Sequence, residues 1–122
     1  ERSHRNPQSG RGIWAKIRTD AIGYCDEDAP EKIVHKAVES FGKVDILVNA
    51  AGITRRYLAL EISEQDWNDV IQTNLTALFF LSQKVARQFI RQGTGGNIIN
   101  IASMLSYQGG FRVILTRRVK QR

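Results

Sequence analysis

The chain has 122 residues, of which 42% are hydrophobic and 25% are charged, and its formal net charge is +6. This length and composition are ordinary for one modest globular domain, and no apolar run approaches the ~20 residues that a membrane span requires. The single cysteine, Cys25, excludes an internal disulfide and suits a protein of the reducing cytoplasm.

The positive charge is concentrated at the two ends of the chain. Ten of the 18 basic residues lie in residues 1–18 and 112–122, whereas residues 19–111 hold eight basic and eleven acidic residues. A mildly acidic body argues against a basic DNA-binding domain, so we predict no nucleic-acid partner; binding through the basic ends stays open as a minor alternative. Residues 1–18 show no sustained hydrophobic period, and we expect them to be poorly ordered.

The first regular elements that the sequence predicts are a helix over 29–41 and a strand over 44–49. Acidic residues and Pro30 stand at the start of the helix, apolar residues recur at helical spacing, and Gly42 is a natural C-terminal cap. The apolar run Ile46–Val48 then predicts a strand buried on both faces, which ends in small residues that let a flat ligand come close.

A second helix is predicted over 64–92, and a second strand over 97–102. Ser63 and Asp66 have the spacing of a capping box, and Gly93 closes the helix. One helix between two strands is a βαβ unit, which implies a parallel pair within an α/β fold. The carboxyl ends of the two strands then lie on the same edge of the sheet, where ligands bind in such folds.

Two polar side chains in these elements are candidates for chemistry. Asn74 falls on the helical stripe predicted to face the sheet, together with Trp67, Ile71 and Leu78. It is either a core asparagine bonded to a nearby backbone group or a helix-kinking residue that holds a water beside an active site. Ser103 follows the second strand directly, a place where a lone serine is usually a helix cap or a turn residue. No Cys/His cluster is present, so no metal is predicted.

Three segments agree in order and spacing with the short-chain dehydrogenase/reductase family: Asn49-Ala50-Ala51-Gly52, Asn74-Leu75 and Asn97 to Ser103. The resemblance covers about residues 28–113. It implies a partial Rossmann-like, doubly wound parallel sheet that binds NAD or NADP, with NAD favoured, and small-molecule substrates. In this family Ser103 would polarise the reacting oxygen, Asn74 would hold a proton-relay water, and the segment Asn49, Ala50, Ala51 and Gly52 would line the cofactor. Intact relatives are expected to be homo-oligomers.

The two ends of the chain depart from the family pattern. The family begins with a strand and a glycine-rich turn, whereas Gly10 and Gly12 follow no predicted strand. Counting from Ser103, the Tyr-x-x-x-Lys motif should fall at residues 116 and 120; the lysine, Lys120, is present, but Thr116 replaces the tyrosine. We therefore expect a single incomplete domain with atypical tails at 1–20 and 114–122, produced by a frameshift or truncation, and negligible turnover by this chain alone.

Within the family, Arg55-Arg56 and the segment 103–110 most resemble 2-deoxy-D-gluconate 3-dehydrogenases, which implies an anionic sugar acid as substrate. A different class of function stays open beside this one. The helix predicted over 64–92 has a wide apolar face, so the chain is alternatively a catalytically inactive module that associates through that helix.

Overall fold

A computed structural model describes residues 25–108. The predictions for residues 1–24 and 109–122, which include Thr116 and the candidate catalytic residue Lys120, lie outside this part of the chain. The described elements are, in chain order, helix α1 (Ala29–Phe41), strand β1 (Ile46–Asn49), a short 3₁₀ turn (Ala59–Glu61), helix α2 (Glu64–Ile71), a wide π-helical turn (Gln72–Thr76), helix α3 (Ala77–Gln92), strand β2 (Asn97–Asn100) and a second 3₁₀ turn (Met104–Ser106).

Helix α1 has the bounds that the sequence predicts. Pro30 lies in its first turn, where a missing N–H costs no hydrogen bond, and the Asp28 side chain makes no capping bond. The helix ends because Gly42 adopts a left-handed conformation with φ of 78° and donates its N–H to the carbonyl of Val38.

The segment predicted as one helix over 64–92 is helical throughout but is interrupted near its middle. Its start is capped as expected, because Ser63 Oγ accepts the Asp66 N–H at 3.1 Å, and it ends at Gly93, whose φ is 71°. Between α2 and α3 the turn Gln72–Thr76 is π-helical, so Ala77 N–H bonds the carbonyl five residues back at Gln72. Such wide turns are rare and often occur at functional sites.

The two strands form the parallel pair that the βαβ pattern predicts. Ile46 lies opposite Asn97, and the register continues to Asn49 opposite Asn100. Each strand is four residues long, shorter than predicted: β1 begins at Ile46 rather than at residue 44, and β2 ends at Asn100 rather than at residue 102.

The main hydrophobic core lies between α1, α3 and one face of the sheet. Its buried members are Ala29, Ile33, Leu81, Val85 and Phe89, against which Val34, Val44 and Leu47 pack. A second, smaller cluster joins α2 to the loop after β1; it is centred on the fully buried Val70 and includes Ile53, Ile62 and Ile71. This second cluster fixes the position of the loop that follows β1.

Two burial predictions are wrong for the part of the chain that the structure describes. The strands are not buried on both faces: Val48 is 51% and Ile99 46% exposed, because the helices cover the side of the sheet to which Leu47 points. Trp67 does not belong to the buried stripe either. It is 43% exposed, and Val70 is the α2 residue that enters the core. Among residues 25–108 no helix combines the length and apolar character needed to cross a membrane.

Candidate active site

The carboxyl ends of β1 and β2 meet at one edge of the sheet, as the parallel topology predicts. Asn49 and Asn100 are opposite each other in the register, and the pairing continues one step further through a 3.0 Å bond from the Ile101 N–H to the Asn49 carbonyl. The segment after β1 and the segment that leads to Ser103 therefore leave the sheet side by side.

Asn49 is buried and forms the centre of a polar network beneath this edge. Its side chain is 4% exposed, and Nδ2 donates to Ser82 Oγ at 2.9 Å and to Asn100 Oδ1 at 2.8 Å. Ser82 in turn donates its hydroxyl proton to the carbonyl of Leu78 at 2.8 Å. Asn49 Oδ1 is buried and has no hydrogen-bond partner among the described residues. The network ties the end of β1 to both β2 and α3.

Sequence reasoning missed Ser82 and Asn100 as members of this network. The available signal was spacing: Ser82 stands eight residues after Asn74, which places two polar side chains on one face of a long helix. Asn100 was predicted as part of a strand, and its opposition to Asn49 depends on the register, which the sequence alone did not specify.

Asn74 is 5% exposed and lies within the π-helical turn. Its Oδ1 accepts the N–H of Ile53 at 2.8 Å, and its Nδ2 donates to the carbonyl of the same residue at 2.9 Å. The side chain thus has the backbone partner expected of a core asparagine. The irregular helix geometry around it is the feature expected of a helix-kinking residue beside an active site. A role in catalysis stays a prediction.

The segment Ala50, Ala51 and Gly52 lies between two anchored residues. Asn49 precedes it and Ile53 follows it, and each is held by buried side-chain hydrogen bonds. The three small residues themselves are exposed. An exposed, small-residue segment with fixed ends at the carboxyl edge of a parallel sheet fits the contact surface of a flat nucleotide cofactor.

Ser103 is half-buried and lies three residues after Asn100. Its Oγ accepts the Leu105 N–H at 3.2 Å and so caps the short turn Met104–Ser106. The hydroxyl is the acceptor in this bond, which therefore does not use its hydrogen. The capping bond orients the hydroxyl without excluding a hydrogen bond to a substrate oxygen.

The basic pair in the loop after β1 is divided between two environments. Arg55 approaches two carboxylates of α2, with its Nε 3.4 Å from Asp66 Oδ1 and a terminal nitrogen 3.6 Å from Asp69 Oδ2. Arg56 is exposed. Arg55 therefore attaches the loop to α2, and Arg56 lies at the surface.

Comparison with known proteins agrees with this geometry. The family model described as short chain dehydrogenase matches residues 15–115. The chain belongs to the short chain dehydrogenase family. The resemblance carried by the three sequence segments is thereby confirmed.

This chain is similar to curated relatives that carry more than one name, including 2-dehydro-3-deoxy-D-gluconate 5-dehydrogenase and 3-oxoacyl-[acyl-carrier-protein] reductase. It is similar to the 2-dehydro-3-deoxy-D-gluconate 5-dehydrogenase of Dickeya dadantii strain 3937, with 67% identity over 81 residues that cover 66% of this chain and 32% of the relative. The Escherichia coli K12 protein of the same name is 57% identical over 86 residues, which cover 70% and 34%. The chain thus spans about a third of the length of these relatives. The name of these two relatives and the predicted one both contain a deoxygluconate as substrate. The relatives' name places the reaction at position 5, whereas the predicted name places it at position 3.

Solved structures confirm the fold class. A short chain dehydrogenase from Mycobacterium smegmatis superimposes with a TM-score of 0.77 at 24% sequence identity, covering 80% of this chain and 41% of that chain. The partial Rossmann-like α/β fold predicted from the sequence is therefore correct.

Proposed function

We propose that this chain carries part of the active site of a short-chain dehydrogenase that transfers a hydride between NAD(P)(H) and a secondary alcohol or ketone on a deoxygluconate. The observation that supports this most is that the segment 50–52 and the segment leading to Ser103 leave the parallel sheet side by side at the same edge. The cytoplasm is the proposed location, since Cys25 is an exposed free thiol.

Asn49, Ala50, Ala51 and Gly52 are the described residues proposed to hold the cofactor. The nicotinamide cofactor supplies or accepts the hydride when it is bound. The exposed small residues let its nucleotide side approach the backbone, and the buried Asn49 keeps that backbone in place. NAD is favoured over NADP because the sequence most resembles NAD-using deoxygluconate dehydrogenases.

Ser103 is proposed to donate a hydrogen bond to the reacting oxygen, on which negative charge develops during hydride transfer. Asn74 is proposed to hold the water of the proton relay. It would do so through the backbone of its π-helical turn, because its side-chain amide is already hydrogen-bonded to Ile53. In that turn Ala77 N–H bonds Gln72 rather than Thr73, so the regular pattern of carbonyl partners is displaced at Asn74. Lys120 would assist only beside a tyrosine.

The substrate class is proposed from the relatives and from the loop after β1. The relatives named above act on 2-dehydro-3-deoxy-D-gluconate, which carries a carboxylate. Arg56 is exposed in this loop, whereas Arg55 is engaged by Asp66 and Asp69. We therefore assign recognition of the sugar-acid carboxylate to Arg56 rather than to Arg55.

A hybrid enzyme tests the proposal independently of the chain ends. Residues 25–108 would replace the matching stretch of the Dickeya dadantii relative, and hydride transfer from 2-dehydro-3-deoxy-D-gluconate to NAD would be followed by the appearance of NADH absorbance. We expect turnover by the hybrid, seen as NADH formed while 2-dehydro-3-deoxy-D-gluconate is oxidised at position 5. We also expect a loss of about 10²–10³ in kcat for Ser103→Ala, and no change for Ser40→Ala on the exposed side of α1. A folded hybrid without turnover would refute the assignment.

The 122-residue chain by itself is proposed to have negligible turnover. Thr116 stands at the position of the family tyrosine, and a threonine hydroxyl is a far weaker acid than a phenol. Robust reduction of NAD by the purified chain with 2-dehydro-3-deoxy-D-gluconate, or robust oxidation of NADH with a simple ketone, would contradict this.

A second candidate function, an interaction module, is favoured by the helical surface. Large apolar side chains are exposed along α2, the π-helical turn and α3: Trp67 43%, Leu75 42%, Phe79 59%, Phe80 47% and Ile90 82%. Apolar clusters of this kind mark association surfaces. Sedimentation should then show self-association that Phe79→Ser weakens; a compact monomer at micromolar concentration would exclude this function.

A further inference from the structure

The segment proposed to bind the cofactor is short, and its position depends on the two residues beside it. Ile53 is held by Asn74 through both of its backbone polar groups. Asn49 is held through its backbone by Ile101 and through its side chain by Ser82 and Asn100. With three residues between fixed ends, a shift of either end moves the whole segment.

Ser82 determines which way the Asn49 carboxamide points. Its hydroxyl proton is committed to the Leu78 carbonyl at 2.8 Å, so toward Asn49 it presents a lone pair. Asn100 also presents an oxygen, Oδ1, at 2.8 Å. Two acceptors on the same side select the orientation in which Asn49 Nδ2 faces both of them. Oδ1 is turned away into a buried position, where it has no hydrogen-bond partner within residues 25–108.

This orientation has an energetic cost, which indicates that the network does more than fill the core. A buried acceptor without a hydrogen bond is unfavourable, and such groups in native proteins call for an explanation. The bonds that Asn49 makes through Nδ2 connect three elements, β1, β2 and α3, at the point where the chain leaves the sheet. The uncompensated Oδ1 is the consequence of orienting the amide for those bonds.

We propose that Ser82 is a positioning residue for the cofactor segment Ala50–Gly52. It acts through Asn49, whose amide it orients, and it touches neither substrate nor cofactor. The inference rests on the proposed function, since only a dehydrogenase gives this segment a cofactor to bind. Ser82 lies on α3 about two turns after Asn74, which lies in the π-helical turn before α3, so one continuous helical segment holds both ends of residues 50–52.

The test compares three variants of the full 122-residue chain. Ser82→Ala removes the acceptor for Asn49, and Ser82→Thr keeps a hydroxyl that can bond both the helix carbonyl and Asn49. Ser40→Ala, on the exposed side of α1, is the matched control. Hydrogen exchange of the amides of residues 49–53 reports the mobility of the segment, and exchange across α1 reports general loosening. Titration with NADH, followed by its fluorescence, reports cofactor affinity.

We expect Ser82→Ala to accelerate exchange at residues 49–53 and to raise the Kd for NADH, each by about fivefold, the equivalent of one lost hydrogen bond. Exchange in α1 should stay constant, and Ser82→Thr should restore both values. Unchanged exchange at 49–53, or equal acceleration in α1, would overturn the positioning role. Selective acceleration in a chain that binds no NADH would support the positioning role, and turnover of the hybrid enzyme then decides the proposed function separately.

Discussion

The side-chain carboxamide of Gln92 binds both backbone polar groups of Val44. Its Nε2 donates to the Val44 carbonyl at 2.5 Å, and its Oε1 accepts the Val44 N–H at 3.2 Å. Asn74 makes the same pair of bonds with Ile53. Val44 lies just before β1, and Ile53 lies a short loop after it. One long helical segment therefore holds both flanks of the strand. Its side-chain amides supply the hydrogen bonds that the backbone of a neighbouring strand would otherwise make.

Removing the Gln92 amide should therefore destabilise the protein. Gln92→Ala leaves the half-buried Val44 backbone without two hydrogen bonds, and we expect the free energy of unfolding to fall by about 2 kcal/mol in urea denaturation. Gln65→Ala is the matched control, because Gln65 is an exposed helical glutamine bonded to Asp69. Equal losses for the two variants would contradict a special role for Gln92.

Gly96 is required by the packing of Phe89 rather than by its own backbone conformation. A Cβ at Gly96 would lie 2.4 Å from two ring carbons of Phe89, a side chain of the main core. Gly96→Ala should lower the free energy of unfolding by about 1–3 kcal/mol, the usual range for overpacking.

A double-mutant cycle isolates this contact. In a Phe89→Leu background the alanine at position 96 meets a smaller, more adaptable side chain, so its cost should shrink by more than half. Gly95→Ala is a useful contrast: in the part of the chain that the structure describes, no atom lies within 4 Å of a Cβ there, and its cost arises from a φ of 67°. That cost should not depend on Phe89, and dependence would argue against the assignment.

A carboxylate in place of the Asn49 amide should be poorly tolerated. Asn49→Asp removes the donor that Ser82 and Asn100 share and buries a charge opposite an acceptor oxygen. Burial raises the pKa of such a carboxyl above its unfolded value. Stability is therefore retained at low pH, where the group is protonated in both states, and is lost as the pH rises.

The measurement is thermal unfolding of the Asn49→Asp variant across the acidic and neutral range. Asn68→Asp on the exposed surface of α2 is the control, for which we expect little change with pH beyond that of the parent chain. A pH dependence equal to that of the parent chain in the Asn49→Asp variant would show that the substituted side chain is solvated and would contradict the prediction.

The ion pair between α1 and α3 gives a prediction about titration. Lys84 Nζ lies 2.6 Å from Glu31 Oε2, and the hydrogen bond from Lys84 holds the pKa of Glu31 below its usual value. The lowered pKa means that the pair contributes stability above the unfolded glutamate pKa and loses it as the pH falls through the folded value. Lys84→Gln should raise the Glu31 pKa, measured by carboxyl-carbon NMR.

A second pair in α1 supplies the control for that experiment. The pKa of Asp28 is lowered mainly by its hydrogen bond from Lys32. Lys32→Gln should therefore raise the Asp28 pKa and leave the Glu31 pKa unchanged. Lys84→Gln should raise the Glu31 pKa and leave the Asp28 pKa unchanged. Movement of both values in either variant would indicate a change in helix packing instead of a pairwise effect.

Short-range features of this protein are readable from the sequence because their causes lie within a few residues. Pro30 and Gly42 delimit α1, and Ser63 and Gly93 delimit the long helical segment, through local backbone preferences and capping bonds. The parallel strand pair follows from the order of elements, since a helix between two strands implies a crossover. The family resemblance adds the fold class and the candidate Ser103.

Other features depend on which distant groups meet, and only the tertiary structure decides them. Asn74 could be placed on a buried face, but the choice of Ile53 as its partner and the π-helical turn around it depend on where the loop after β1 packs. The link from Ser82 to Asn49 joins residues 33 positions apart. A hydrophobic pattern predicts that a face is buried but does not specify what covers it. The apolar run around Val48 predicted burial on both faces, and only the structure shows that Val48 is exposed.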